Sequence, residues 1–289
     1  MRGKLVQLQN GGHVALDEYG DPEGTPVFFY HGWPSSRTMA ELANDAAVEI
    51  GVRIISLDRP GIRDSSLARE RSLLDWPVLM KEIAAEMGLE QYRILAISGG
   101  APYAYVAAWA LPEQVRAIAV VSGAPPIAEL SDHVHLLRLY RWLLALRVKQ
   151  PRLLRAGFHL VRPFACLKPP VRFRPLLLKC LQRADAEAMR DSRAFEACFE
   201  SARQAWRASA DGVMIDAEIY ARPWGFPLED VRVPVRLWHG TGDRAFGYPI
   251  AEEIARRLPN CQLQIVPDAG HFSLPIRNVR RILKDLIAT

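Results

Sequence analysis

The chain has only four cysteines in 289 residues, Cys166, Cys180, Cys198 and Cys261, and no C-x-x-C pair among them. Without that spacing, and with no His/Cys cluster of zinc spacing, a structural metal is not expected. The three cysteines between 166 and 198 fall in a helical pattern, where reduced and buried thiols are the expectation. Long apolar runs are missing as well, since no stretch approaches the roughly 20 residues that a membrane span needs. The opening stretch MRGKLVQLQNGGHVALDEYG has no apolar run behind its charges. It therefore does not read as a signal peptide, and a cytoplasmic location is expected. The third scarcity is local. Between His133 and Ala184 there are twelve Lys/Arg and no Asp or Glu, so the net charge of +5 divides into +12 here and 5 − 12 = −7 elsewhere. No recognised nucleic-acid-binding motif accompanies those cations, and nucleic acid is not expected as a partner.

What is present suits a large globular core, with 49% hydrophobic and 24% charged residues. KLVQLQ and HVALDEYG, separated by Asn10-Gly11-Gly12, read as a hairpin with a glycine turn. PVFFYHG, VRIISLD, YRILAIS and VRAIAVVSG are apolar and β-branched, as strands covered on both faces should be. Amphipathic helical segments near 38–49, 73–88 and 100–110 fall between them. This alternation predicts an α/β fold with a mostly parallel sheet and helices on both faces. It stops after Pro126. From 127 to 222 the pattern is helical and proline-broken, and then PVRLWHG, a helix from Ile250 to Leu258, CQLQIVP and a helix from Ile276 to Ala288 resume it. The predicted organisation is one α/β core, 1–126 with 223–289, interrupted by a helical insertion at 127–222.

Open α/β sheets bind ligands beyond the carboxyl ends of their strands. At those ends the sequence places Ser98 after RILAI, Asp243 after VRLWHG, and His271 after LQIVP. A serine needs a neighbouring base to become a nucleophile, and a carboxylate fixes the imidazole's tautomer, so these three residue types on one sheet edge point to acyl transfer. Each piece alone has a plainer reading: Ser98 as a helix cap, Asp243 as a surface turn, His271 as a core histidine. Asp268, three residues before His271, reads as a turn residue rather than the acid. His13, His133, His135, His159 and His239 lie in the hairpin, the insertion or a strand, which leaves His271 as the base.

The order Ser, Asp, His, together with Ala96-Ile97-Ser98-Gly99-Gly100 and His31-Gly32-Trp33-Pro34, resembles the α/β-hydrolase family. The run SGGAPYA is similar to members with esterase-type activity. The resemblance implies that the insertion after the sixth strand is a cap over the site. It also implies that the Trp33 and Gly99 amides form an oxyanion hole, and that Trp33, with His31 of the same loop, meets the substrate. By the same resemblance the activity is hydrolysis of a small-molecule carboxylic ester through an acyl-enzyme, needing neither metal nor organic cofactor. A lactone, an amide or a C–C bond is an alternative substrate for the same triad, and a non-catalytic ligand-binding member of the fold is the alternative from another class. Haloalkane dehalogenases and epoxide hydrolases of this fold use an aspartate where Ser98 stands, which argues against both. Prolyl aminopeptidases need acids in the cap, where 133–184 has none. The segment LDRPGIRDSS resembles a family loop but carries Arg63 and Asp64 where glycine is usual. Asp58 and Arg59 are expected to pair or cap backbone there, the other reading being that Arg63 alters access at the cap.

For the basic insertion, the plainer expectation is cap helices with apolar stripes over the site and arginines in water. The second is a basic amphipathic surface that touches anionic membrane or an acidic substrate.

Overall fold

A computed structural model of the chain describes residues 3–289; Met1 and Arg2, part of the opening stretch read for a leader, lie outside it. The chain begins with the hairpin β1 (Lys4–Gln7) and β2 (His13–Gly20), then β3 (Thr25–Tyr30), α1 (Asn44–Ile50), β4 (Val52–Leu57), α2 (Trp76–Glu86), β5 (Tyr92–Ile97), α3 (Ala101–Ala110) and β6 (Val115–Val121). Six helices follow without a strand: α4 (Arg138–Lys149), α5 (Pro151–Ala165), α6 (Arg174–Lys179), α7 (Arg183–Ala188), α8 (Ser192–Ala205) and α9 (Ala210–Tyr220). The α/β pattern then closes with β7 (Val235–Gly240), α10 (Tyr248–Arg257), β8 (Cys261–Val266) and α11 (Ser273–Ile287).

The strands form one eight-stranded sheet in the order β1-β2-β4-β3-β5-β6-β7-β8. β2 is antiparallel to both β1 and β4, and every other pairing is parallel. Side chains alternate between the two faces of a strand, and both faces here are covered. Phe28, Tyr30, Ile94 and Ala96 belong to one core cluster, while Val27, Phe29, Leu95 and Ile97 belong to the other. Continuous apolar strands follow from that double burial.

The final helix starts three residues earlier than the sequence suggests, because Pro275 falls in its first turn, where no intrahelical N–H is lost. The expectation of buried thiols in the insertion holds for Cys198 and fails for Cys180, which is exposed just past the end of α6. All four cysteines are free.

Candidate active site

β5 ends at Ile97, and the chain turns at Ser98 with φ +52, the left-handed region that a non-glycine residue enters at a cost of roughly 1–2 kcal/mol. The turn is tight enough that its next two residues have to be glycine. A Cβ on Gly99 would stand 2.8 Å from Trp33 Cβ and 2.7 Å from Tyr220 Oη, and one on Gly100 would run into the Tyr30 carbonyl. The result lifts the Ser98 side chain off the end of the sheet and aims it across β6 toward the loops after β7 and β8.

Those loops supply the other two groups. His271 Nε2 lies 3.0 Å from Ser98 Oγ, and His271 Nδ1 donates to Asp243 Oδ2 at 2.8 Å. Asp243 is buried, and its Oδ1 accepts the Ala245 and Phe246 amides at 2.8 and 3.1 Å. Burial pushes the Asp243 carboxyl up, but the charge and hydrogen bond of His271 outweigh it, and the carboxyl sits below its ordinary value. Burial likewise disfavours the cation of His271, yet the Asp243 charge and hydrogen bond, with a further contribution from Asp185, raise it above the ordinary 6.5. The sequence-predicted Ser98, Asp243 and His271 are thus brought into one hydrogen-bonded chain. His239 instead donates to the Phe246 carbonyl at 2.8 Å, and burial holds it below its ordinary value. Asp268 is an exposed turn residue at φ +57.

The loop after β3 is held from below. Arg59, fully buried, donates to the carbonyls of His31 and Gly32, both at 2.7 Å, and pairs with Asp216 of α9 at 2.7 Å. A trans peptide unit points its C=O and N–H in opposite directions. Gripping the Gly32 carbonyl therefore turns the Trp33 N–H the other way, next to Gly99: the Trp33 nitrogen is 3.1 Å from where a Gly99 Cβ would be. This arrangement corrects the expectation for His31. Its ring is fully buried and donates from Nδ1 to the Gly32 carbonyl at 3.0 Å, so it braces the loop instead of meeting a substrate. Asp58 and Arg59 both pair, Asp58 with Arg37, and Arg63 pairs with its neighbour Asp64 at 3.1 Å.

Two cavities meet at Ser98 and Trp33. One, of ≈590 Å³, runs beneath the helical insertion against Met39, Leu178, Leu181, Met189 and Phe195, and includes His271. The other, of ≈70 Å³, is bounded by Gly99, Ile127, Leu144, Ala217 and Tyr220. The Tyr220 hydroxyl is buried there with no hydrogen-bond partner among the described residues.

A further contributor, Asp185 of α7, gives no signal in the sequence. Its buried Oδ1 accepts the amides of Phe272 at 3.0 Å and Ser273 at 2.7 Å, capping α11 from another part of the chain, directly behind His271. Gly270 is glycine because a Cβ there would collide with Asp185 and Gln182. Asp185→Ala is expected to destabilise the protein by about 1–2 kcal/mol, as loss of a helix cap does, read as a lowered midpoint in thermal or urea unfolding.

With this geometry in view, comparison with known proteins is informative. Residues 25–276 match the family model described as alpha/beta hydrolase fold. The chain belongs to the α/β-hydrolase fold family. The fold of this α/β hydrolase is shared across its length with a thermophilic esterase from Thermogutta terrifontis, at TM-score 0.69 and 17% identity over 100% of this chain and 98% of that one. A bromoperoxidase from Bacillus anthracis is similar at TM-score 0.73 and 17% identity, over 99% and 98%. Among curated proteins, the pimeloyl-[acyl-carrier protein] methyl ester esterase of Aromatoleum aromaticum is 46% identical over 48 residues. That match spans only 17% of this chain and 19% of the relative. Neighbours with two different activities on one scaffold leave the chemistry to be argued from the site.

Proposed function

We propose that this α/β hydrolase cleaves carboxylic esters through an acyl-enzyme, with Ser98 as nucleophile, His271 as general base and acid, and Asp243 as its orienting acid. The observation that carries this reading is the Ser98–His271–Asp243 hydrogen-bond chain, at 3.0 and 2.8 Å, set beside the Trp33 and Gly99 amides. Ser98 Oγ attacks the ester carbonyl carbon while its proton passes to His271 Nε2. The two amides then face the oxygen on which negative charge develops. His271 returns the proton to the alkoxide oxygen as the C–O bond breaks, and the alcohol leaves. Water, deprotonated by the same histidine, opens the acyl-Ser98 ester. The helices from α4 to α9 act as a cap in this reading, walling the larger cavity. The partial curated relative, an esterase by name, supports the same reaction class.

The departing alkoxide has to lie within hydrogen-bond reach of His271, and His271 lines the ≈590 Å³ cavity but not the ≈70 Å³ one. The alcohol accordingly occupies the larger space and a short acyl group the smaller, since an engineered cavity of about 150 Å³ already holds a benzene ring. Purified protein is expected to hydrolyse p-nitrophenyl acetate and butyrate well and the octanoate at least about tenfold less efficiently in kcat/KM, a selectivity of one decade per 1.4 kcal/mol. Turnover of none of the three by folded protein would remove the esterase reading. A preference for octanoate would reverse the assignment of the two cavities and leave the reaction intact.

Only neutral His271 can take the serine proton, so kcat/KM should rise with pH through the histidine's pKa. Because Asp243 raises that pKa, the midpoint of the acidic limb is expected above 6.5. Asp243→Asn should move the limb to lower pH and reduce kcat by about 10⁴-fold, by letting the imidazole adopt the wrong tautomer. A pH–rate profile of both proteins on p-nitrophenyl acetate checks this, and an unmoved limb would count against the pairing.

A further inference from the structure

Thirteen of the nineteen large apolar side chains that are exposed among the described residues fall between Val134 and Leu177. They include Trp142 at 58%, Leu160 at 71%, Phe164 at 69% and Val171 at 76% exposure. On α5, Leu153, Leu160, Val161 and Phe164 recur at intervals that bring them to one side of the helix. The other side is docked: Phe158 is buried against Trp206, and Arg162 donates to the Trp206 and Arg207 carbonyls. A helix that packs inward with one apolar side normally shows water a polar one, whereas α5 adds an exposed apolar strip beside Arg152, Arg155 and His159.

The same segment holds the uncompensated charge. Arg138, Lys149, Arg152, Arg172 and Lys179 are exposed and carry no ion pair among the described residues. The nearby acids are already taken, Glu218 by Arg147, Asp211 by Arg69 and Arg155, and Glu196 by Lys168. An exposed apolar surface rimmed mainly by cations, with Glu196 neutralised by Lys168, is complementary to an anionic lipid surface, whose headgroups meet the arginines and lysines while the apolar side chains enter the acyl boundary. Leu177 belongs both to this surface and to the wall of the ≈590 Å³ cavity, so the substrate cavity adjoins the same face.

We propose that the outer face of α4, α5 and α6 docks on anionic phospholipid bilayers, with the large cavity opening beside the lipid surface. The binding does not depend on the catalytic reading.

The test is flotation of the full chain with vesicles of phosphatidylcholine alone, and with about 30% phosphatidylglycerol, at about 0.05 and 0.5 M salt. Binding to the anionic vesicles is expected to exceed binding to neutral ones by more than about tenfold and to weaken with salt. The double variant Leu160→Ser/Phe164→Ser should reduce it by about tenfold, and Lys149→Glu/Arg152→Glu should remove the preference for anionic lipid. All four positions are exposed, so thermal unfolding should not change. Absent binding, equal binding to both vesicles, or indifference to both variants would overturn the proposal. So would a concentration-dependent dimer that Leu160→Ser/Phe164→Ser dissociates without any vesicle binding, since the face would then belong to a second copy of the chain.

Discussion

Ser98→Ala is expected to lower kcat on p-nitrophenyl acetate by about 10⁴- to 10⁶-fold while leaving KM nearly unchanged. Members of a triad act as a unit, so losing the nucleophile costs about as much as losing all three, and what survives comes from oxyanion stabilisation and binding. The double variant Ser98→Ala/His271→Ala should therefore be little worse than Ser98→Ala alone. The comparison is made by initial rates on freshly purified protein, with circular dichroism to show that the fold is retained. Activity above about 1% of wild type in Ser98→Ala, in a preparation free of contaminating esterase, would exclude Ser98 as the nucleophile. Additive losses in the double variant would argue that serine and histidine work separately.

Asp216→Ala is the substitution expected to damage the fold most. The carboxylate is fully buried and accepts from Arg59 at 2.7 Å, from Tyr103 at 2.9 Å and from Arg71. Burial would push its pKa up, but the two guanidinium charges and their hydrogen bonds outweigh burial and hold it at about 2. A carboxyl depressed in the folded state stabilises the protein at pH values above its unfolded pKa of about 3.9, and that contribution fades as pH falls through about 2. Removing it leaves two buried cations with no counter-charge, which costs about 3–5 kcal/mol. Urea unfolding near pH 7 should show a loss of that size, shrinking toward pH 2. The folded fraction of the variant should also lose kcat, because Arg59 without Asp216 no longer fixes the Gly32 carbonyl. A stable variant with full activity would show that the pair neither supports the fold nor sets the loop.

The contrast between these residues explains what the sequence could and could not reveal. Ser98, Asp243 and His271 each end a strand whose apolar run is plain, and a parallel sheet collects such ends on one edge, so their meeting follows from local pattern and topology. The eight strands and the helical interruption after β6 were legible for the same reason. Arg59 and Asp216 are 157 residues apart, and nothing local distinguishes a buried ion pair from two solvated charges. Asp185 was hidden in the same way: it caps a helix to which it is not adjacent in sequence. His31 misled in the opposite direction. It stands in the loop after β3 that the sequence placed at the site, but its ring is buried and turned back onto the Gly32 carbonyl. That the insertion is basic and helical was legible, but which side of α5 faces water depended on where Trp206 and the rest of the insertion docked.

Arg59 has a consequence for motion. One guanidinium bridges the loop after β3 and helix α9, so the Gly32–Trp33 peptide beside Ser98 is anchored through a single side chain to the last helix of the insertion. Lifting α9 away to admit a bulky molecule would strip Arg59 of its counter-charge and free the Gly32–Trp33 peptide to rotate. The turn beside Ser98 and the seating of α9 on the core would then stand or fall together, like a keystone shared by two arches.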